Sequence, residues 1–197
     1  MGKNRLEAFS DGVLAIIITI MVLQMDIPHG NSIKDLLTLI PKFLSYVLSY
    51  IYVGIYWNNH HHMMHTVSRV SGSILWANMH LLFWLSLFPF STGWMGQNNF
   101  APWPTTLYGI VLVMAAIAYH ILQDIIIKTE GEQSKLKQAV GKDLKGKASV
   151  VLYLAGVILA PIWTWIALII YAVLAFVWLI PDRRIERILY SQGHKTD

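Results

Sequence analysis

Long apolar stretches alternate with short polar segments along the chain. Six stretches have enough apolar residues to cross the hydrocarbon core of a bilayer, which takes about 20 residues in a helix. They cover residues 6–25, 36–58, 72–95, 105–127, 148–163 and 165–181. The last two are separated at Pro161 and the Trp163-Thr164-Trp165 run, because one helix of about 33 residues is too long for a single bilayer. The pattern predicts an all-α integral membrane protein with six spans in one domain, residues 1–197.

The composition agrees with a membrane protein and disfavours an enzyme. Hydrophobic residues make up 55% of the chain and charged residues 13%, more apolar surface than a soluble domain of this size can bury. The absence of cysteine excludes disulfides, thiolate metal sites and cysteine nucleophiles. No nucleotide-binding loop, nucleophile elbow or paired catalytic carboxylate occurs in the sequence. We therefore expect a protein that is not an enzyme and has no cofactor.

The basic residues predict the orientation in the membrane. Of the 15 Lys and Arg residues, all but Lys34 and Lys42 lie at the termini or in alternate loops on one side. Cytoplasmic loops are enriched in Lys and Arg. Both termini are therefore predicted to be cytoplasmic, in a multi-pass protein of the cell membrane. We interpret the clustering as a topology signal and do not expect nucleic-acid binding.

The first span carries an apolar stripe. Ile16, Thr19, Ile20 and Leu23 recur at i, i+3, i+4 and i+7, which places them on one face of a helix. Ordinary helix packing explains such a stripe. Alternatively, copies of this face surround an axis and form stacked apolar rings, which gate a pore by dewetting. Asp26, just beyond the C-terminal carbonyls of this span, then favours cations at the outer mouth.

The predicted topology brings the start of span one, the end of span two and the start of span three to the same inner level. The polar side chains at this level are Arg5, Ser10, Asp11, Asn58, Asn59, His60, His61 and Asn78. A buried Arg and Asp need each other and further hydrogen bonds, which Asn and His supply. We favour a satisfied network that anchors the first helix over a proton or ion relay, because Arg keeps its charge.

A run of polar residues from Asn58 to His65 contains four histidines. His61 and His65 have the i, i+4 spacing that can bind zinc, and the methionines of the run could add affinity for copper. The run has no Cys, Asp or Glu, so the ligand set is incomplete and no metal is predicted. A proton- or metal-coupled transporter that uses His60–His65 is the alternative function.

Two further polar sets lie within the predicted spans. Span two carries on one face the residues Ser45, Ser49, Tyr52 and Tyr56, a pattern typical of helix packing. The inner end of span four carries His120, Gln123 and Asp124, for which the sequence indicates no partner.

Three short motifs resemble those of a known family. The order Arg5-x-x-x-Phe9-Ser10-Asp11-Gly12 at the head of an apolar helix resembles the signature of the transmembrane protein 175 potassium-channel family. The segments Trp57-Asn58-Asn59-His60-His61 and Trp76-Ala77-Asn78, the latter followed by residues 87–92, are similar to the family's second and third helices. The resemblance is strong over the first half of the chain, whereas the second half agrees only in the number and character of its helices.

The resemblance implies a homotetrameric, potassium-permeable cation channel in which the first helix of each subunit lines the pore. It places the family's hydrophobic constriction on Ile16, with Ile20 and Leu23 further along the same face, and matches a family threonine to Thr19. It also implies an intrasubunit polar network, formed by Arg5, Phe9, Ser10, Asp11, Asn59 or His60, and Asn78. The implied partners are potassium and other monovalent cations, the lipid bilayer and further copies of the chain.

Overall fold

The computed structural model describes residues 2–131, 134–141 and 143–179, apart from the side chain of Lys135. Over these residues the regular structure consists of nine α-helices. They are α1 Lys3–Leu23, α2 Ile33–Leu37, α3 Ile40–His65, α4 Gly72–Ser86, α5 Phe88–Gln97, α6 Pro102–Glu130, α7 Lys135–Val140, α8 Leu144–Leu159 and α9 Thr164–Leu179. The predicted end of the sixth span and the basic residues that follow it lie outside the described residues.

The helices follow the predicted spans, with shifted ends. Helix α3 continues past the predicted end of span two to His65, so the histidine run is helical. Span three is divided at Leu87 into α4 and α5, because Pro89 has no backbone N–H with which to continue the helical hydrogen bonds. The predicted break near Pro161 is confirmed, since α8 ends at Leu159 and α9 begins at Thr164.

In the part of the chain that the structure describes, three helical segments are long and apolar enough to cross a membrane. They are Lys3–Leu23, the α4–α5 pair from Gly72 to Gln97, and Pro102–Glu130. Helix α9 is strongly apolar but has only 16 residues in the described part of the chain. The protein is therefore a multi-pass helical membrane protein, while the full count of six spans remains a prediction.

Helix α6 lies at the centre of the bundle and α1 lies at its edge. Helix α6 packs against α4, α5, α8 and α9, whereas α1 contacts α3, α4 and α5. In the most apolar window of each helix, 56% of the residues of α6 are buried but only 28% of those of α1. The first helix therefore keeps a large part of its surface uncovered by its own chain.

Tyrosine and phenylalanine rings from five helices meet in the core. Tyr52, Phe88, Tyr108, Tyr153 and Tyr171 form pairs with ring centroids 6.0–6.5 Å apart. The Tyr52 hydroxyl donates to the backbone carbonyl of Tyr171 at 2.6 Å, which satisfies a polar group that burial would otherwise penalise. These contacts tie α3 and α5 to the C-terminal helices.

The polar stripe of span two packs into the same core. All four of its side chains are buried, namely Ser45, Ser49, Tyr52 and Tyr56. The Ser49 hydroxyl lies 2.6 Å from Thr92 Oγ1 and 3.0 Å from the Tyr108 hydroxyl. The prediction that this stripe mediates helix packing is thus confirmed.

Candidate functional site

The apolar stripe of α1 lies on its uncovered face. Ile16 is 58% exposed, Ile20 41% and Leu23 76%. Thr19 is exposed on the same face, and its hydroxyl donates to the carbonyl of Ala15 at 2.9 Å. The four residues predicted to form a constriction therefore point away from the rest of the subunit.

The opposite face of α1 holds the helix against its neighbours. Leu6, Ser10, Leu14, Ile17 and Met21 are all buried. They follow one another at intervals of three or four residues, which keeps them on one side of the helix. The apolar character of both faces means that α1 suits a position between its own subunit and another apolar or dewetted surface.

A chain of buried hydrogen bonds joins the N-terminal end of α1 to α3 and α4. Ser10 Oγ accepts from Asn78 Nδ2 at 3.0 Å, and Asn78 Oδ1 accepts from His60 Nε2 at 2.7 Å. The Ser10 hydroxyl also donates to the carbonyl of Leu6 at 2.9 Å. The sequence predicted that these polar side chains share one level, and the structure brings Ser10, His60 and Asn78 together.

Arg5, Phe9 and Asp11 lie outside this buried chain, at exposed positions of α1. No ion pair between Arg5 and Asp11 is present in the described part of the chain, contrary to expectation. Residues six apart point in directions about 120° apart around a helix, so these two side chains diverge. Asp11 Oδ1 instead accepts from the indole Nε1 of Trp57 at 3.0 Å.

Asn59 was the alternative to His60 in the predicted network, and Trp57 had no predicted role. Asn59 is half-buried and faces a cavity between helices, so His60 and not Asn59 bonds to Asn78. Trp57 was recognised only as part of a motif, and its bond to Asp11 was missed. The available signal was an indole donor on the helix predicted to end at the level of Asp11.

At the other end of α1, the Asp26 carboxylate forms an ion pair with the Lys42 ammonium. The hydrogen bond from Lys42 holds the pKa of the Asp26 carboxyl below its usual range. Both groups remain partly open to solvent. The charge that was expected to attract cations at this end is therefore largely balanced by a cation from α3, which the sequence did not indicate.

The histidines at the end of α3 do not act as one group. His60 is buried and bonded to Asn78, whereas His61 and His65 are exposed and lie against each other. Within the described residues no group of three or more His, Cys, Asp or Glu side chains is placed to hold a metal ion. Within the described residues, His60 is thus separate from the exposed His61–His65 pair.

The polar residues of α6 meet a partner that the sequence did not suggest. His120 Nε2 lies 3.1 Å from Asp143 Oδ2, and Gln123 Nε2 donates to the same oxygen at 3.3 Å. Asp143 caps α8 by accepting from the backbone N–H of Gly146, and the adjacent His120 imidazole lowers the pKa of its carboxyl. An Asp before an apolar helix is a known N-cap signal. Asp124 is exposed.

His120, Gln123 and Asp143 line a cavity of about 770 Å³, a volume that includes its open mouth. Its walls come from α3, α6, α7, α8 and α9, and none of the lining residues belongs to α1. The cavity and the stripe are therefore separate features of the subunit.

Taken together, helices long enough to span a bilayer, a buried polar anchor and a first helix with an uncovered apolar face define a multi-pass α-helical membrane protein. Residues 5–89, which contain both the stripe and the anchor, match the family described as endosomal/lysosomal potassium channel TMEM175. A potassium channel of Chryseobacterium sp. (strain P1-3) is 56% identical over 189 residues, which cover 96% of this chain and 98% of that protein. The chain belongs to the TMEM175 family, as its motifs predicted.

A structural relative and a more distant sequence relative agree with this family assignment. The crystal structure of a lysosomal potassium-selective channel TMEM175 homolog from Chamaesiphon minutus superposes with a TM-score of 0.81 and 26% identity, covering 91% of this chain and 97% of that one. The human endosomal/lysosomal proton channel TMEM175 is 33% identical over 83 residues, 36% of this chain and 16% of that protein. Because these relatives are named as channels, the comparisons favour a channel over the histidine-based transporter. They give no support for an enzyme.

Proposed function

We propose that this protein is a potassium-permeable cation channel of the cell membrane, assembled as a homotetramer of six-span subunits. The observation that carries the proposal is the uncovered apolar face of α1. Relatives that match nearly the whole chain are named potassium channels, so we expect an ion path in this protein. The uncovered face of α1 is the surface that we propose lines this path. Permeation is passive in this proposal, and the excess of Lys and Arg in alternate loops favours cytoplasmic termini.

In the proposed channel, the α1 helices of four subunits surround the axis and form apolar rings. Positions 16 to 23 extend over about 10 Å along a helix that rises 1.5 Å per residue. Narrow apolar rings of this kind expel water and oppose the passage of hydrated ions. Ile16, Ile20 and Leu23 form the rings, and the Thr19 hydroxyl supplies a polar group between them.

The Ser10–Asn78–His60 hydrogen bonds have a structural role in this proposal. They fix one end of α1 to α3 and α4, and so determine which face of α1 is turned to the axis. A proton relay is less favoured, because the Ser10 hydrogen is already donated to the carbonyl of Leu6. The Trp57–Asp11 bond fixes the same end of the helix at its surface.

Cysteine accessibility tests whether this face lines an ion path. The native chain has no cysteine, so one introduced thiol is the only target. In proteoliposomes, a charged thiol reagent applied from both sides should change the potassium flux of Ile16→Cys, Ile20→Cys and Leu23→Cys. It should not affect the buried position 17.

Ile169→Cys is the matched control. Ile169 is 61% exposed, but it lies on α9, which is not among the helices that α1 packs against. A thiol in lipid stays protonated and unreactive, so position 169 should resist the reagent. Equal responses at positions 16 and 169, or no response at any stripe position, would contradict the assignment of α1 to the pore.

Removing the cation that neutralises Asp26 should increase conductance. Lys42→Gln leaves the Asp26 carboxylate unpaired beside the proposed outer mouth, which raises the local concentration of cations. We expect about a twofold increase in single-channel potassium conductance at low ionic strength, fading at high salt as the Debye length shortens. The double variant Lys42→Gln with Asp26→Asn should lose the increase, and an equal increase in that variant would exclude Asp26 as its cause.

A further inference from the structure

The last turn of α3 presents two imidazoles to solvent in a converging arrangement. The Nε2 atoms of His61 and His65 lie 3.1 Å apart, and their ring centroids are 4.4 Å apart. Both residues are exposed. The proposed channel function uses neither of them, and nothing in it requires their rings to meet.

The separation of the two nitrogen atoms suits a shared metal ion. Zinc binds imidazole nitrogen at about 2.0–2.1 Å in tetrahedral geometry, which places two ligating nitrogens about 3.3 Å apart. The observed 3.1 Å needs only a small opening of the pair. Without a metal, one Nε2–H donates to the other ring; on binding, that proton moves to Nδ1, which frees both lone pairs.

Neighbouring groups hold the pair in place. The ring of Trp57 stacks on His61 with an interplanar angle of 30°, and the Lys3 ammonium donates to the backbone carbonyl of His65 at 3.0 Å. Rings that already converge lose little side-chain entropy on binding. Because the pair is exposed, water can fill the remaining coordination positions.

We propose that His61 and His65 form a binding site for a divalent transition-metal ion of the zinc, nickel and copper class. Imidazole nitrogens suit these ions and not calcium or magnesium, which prefer oxygen ligands. The site is separate from the buried Ser10–Asn78–His60 chain. It binds the ion at the protein surface, without transporting it.

Zinc titration of the purified full-length protein tests the site. Any polyhistidine tag used for purification must be removed, because it would bind zinc itself. Isothermal titration calorimetry in detergent should show one zinc ion per chain. His61→Ala and His65→Ala should each weaken binding at least about tenfold, the lower end of the loss from removing even an outer-shell partner.

Three further variants distinguish ligation from indirect effects. His65→Cys should retain zinc binding, since a thiolate replaces the lost nitrogen ligand. His62→Ala and His29→Ala should bind zinc like the wild type, because these histidines are not part of the converging pair. Wild-type affinity in either His61→Ala or His65→Ala would overturn the proposal, and so would a loss in His65→Cys equal to that in His65→Ala.

Discussion

Replacing Ile16 by Asn should raise potassium flux through reconstituted protein about tenfold, as a barrier lowered by about 1.4 kcal/mol would do. Ile16 is exposed on the face of α1 that we propose forms the first apolar ring. An amide at this position offers hydrogen bonds to water, so the ring stays wet and opposes ions less. The wider hydrated path should also weaken the discrimination between potassium and sodium. Both quantities are measured by cation-driven flux in proteoliposomes.

Ile169→Asn provides the control for Ile16→Asn. The substitution and the exposure are nearly the same, but position 169 lies on α9, outside the stripe. Its flux per reconstituted protein should match that of the wild type. If both variants conduct alike, or if Ile16→Asn leaves flux and selectivity unchanged, the constriction does not lie at Ile16.

Replacing Asn78 by Leu should destabilise the subunit by about 2 kcal/mol. The Asn78 amide accepts from His60 and donates to Ser10, and all three side chains are buried. Leucine is similar in volume but leaves the His60 N–H without its acceptor. The apparent melting temperature in detergent should fall by roughly 4–8 °C, measured by the loss of the folded species on size exclusion after heating.

Two further variants test that the lost hydrogen bonds cause this effect. Asn59→Leu alters a half-buried amide next to His60 that takes no part in the Ser10–Asn78–His60 hydrogen bonds, and it should change the melting temperature little. The double variant Asn78→Leu with His60→Leu should be no less stable than Asn78→Leu, because removing both partners leaves no buried donor unpaired. A melting temperature of Asn78→Leu equal to the wild type would show that the buried chain does not anchor α1.

Much of the helical layout could be predicted from the sequence because a membrane limits the possibilities. Lipid cannot satisfy backbone polar groups, so long apolar stretches must be helical, and proline marks their breaks. The boundaries were less certain, as α3 shows by continuing to His65. Its last turns are polar, and a hydropathy pattern does not distinguish a helix that leaves the membrane from one that ends there.

The site was predicted in part, and the missing part concerns partners. Asp11 bonds to Trp57 and not to Arg5, Asp26 pairs with Lys42, and His120 meets Asp143. Each partner comes from another helix or a loop. Which side chains meet depends on how each helix is rotated about its axis, and this rotation follows from packing throughout the bundle.

By itself, the sequence determined that the chain is a helical membrane protein and that Ile16, Thr19, Ile20 and Leu23 share one face of its first helix. Those properties follow from local helix geometry and the thickness of a bilayer. Only the tertiary structure decided that this face is left uncovered while the face of Ser10 is buried. Both faces are largely apolar, so the choice rests on the distant hydrogen bonds from Asn78 and the contacts of α1 with α3, α4 and α5.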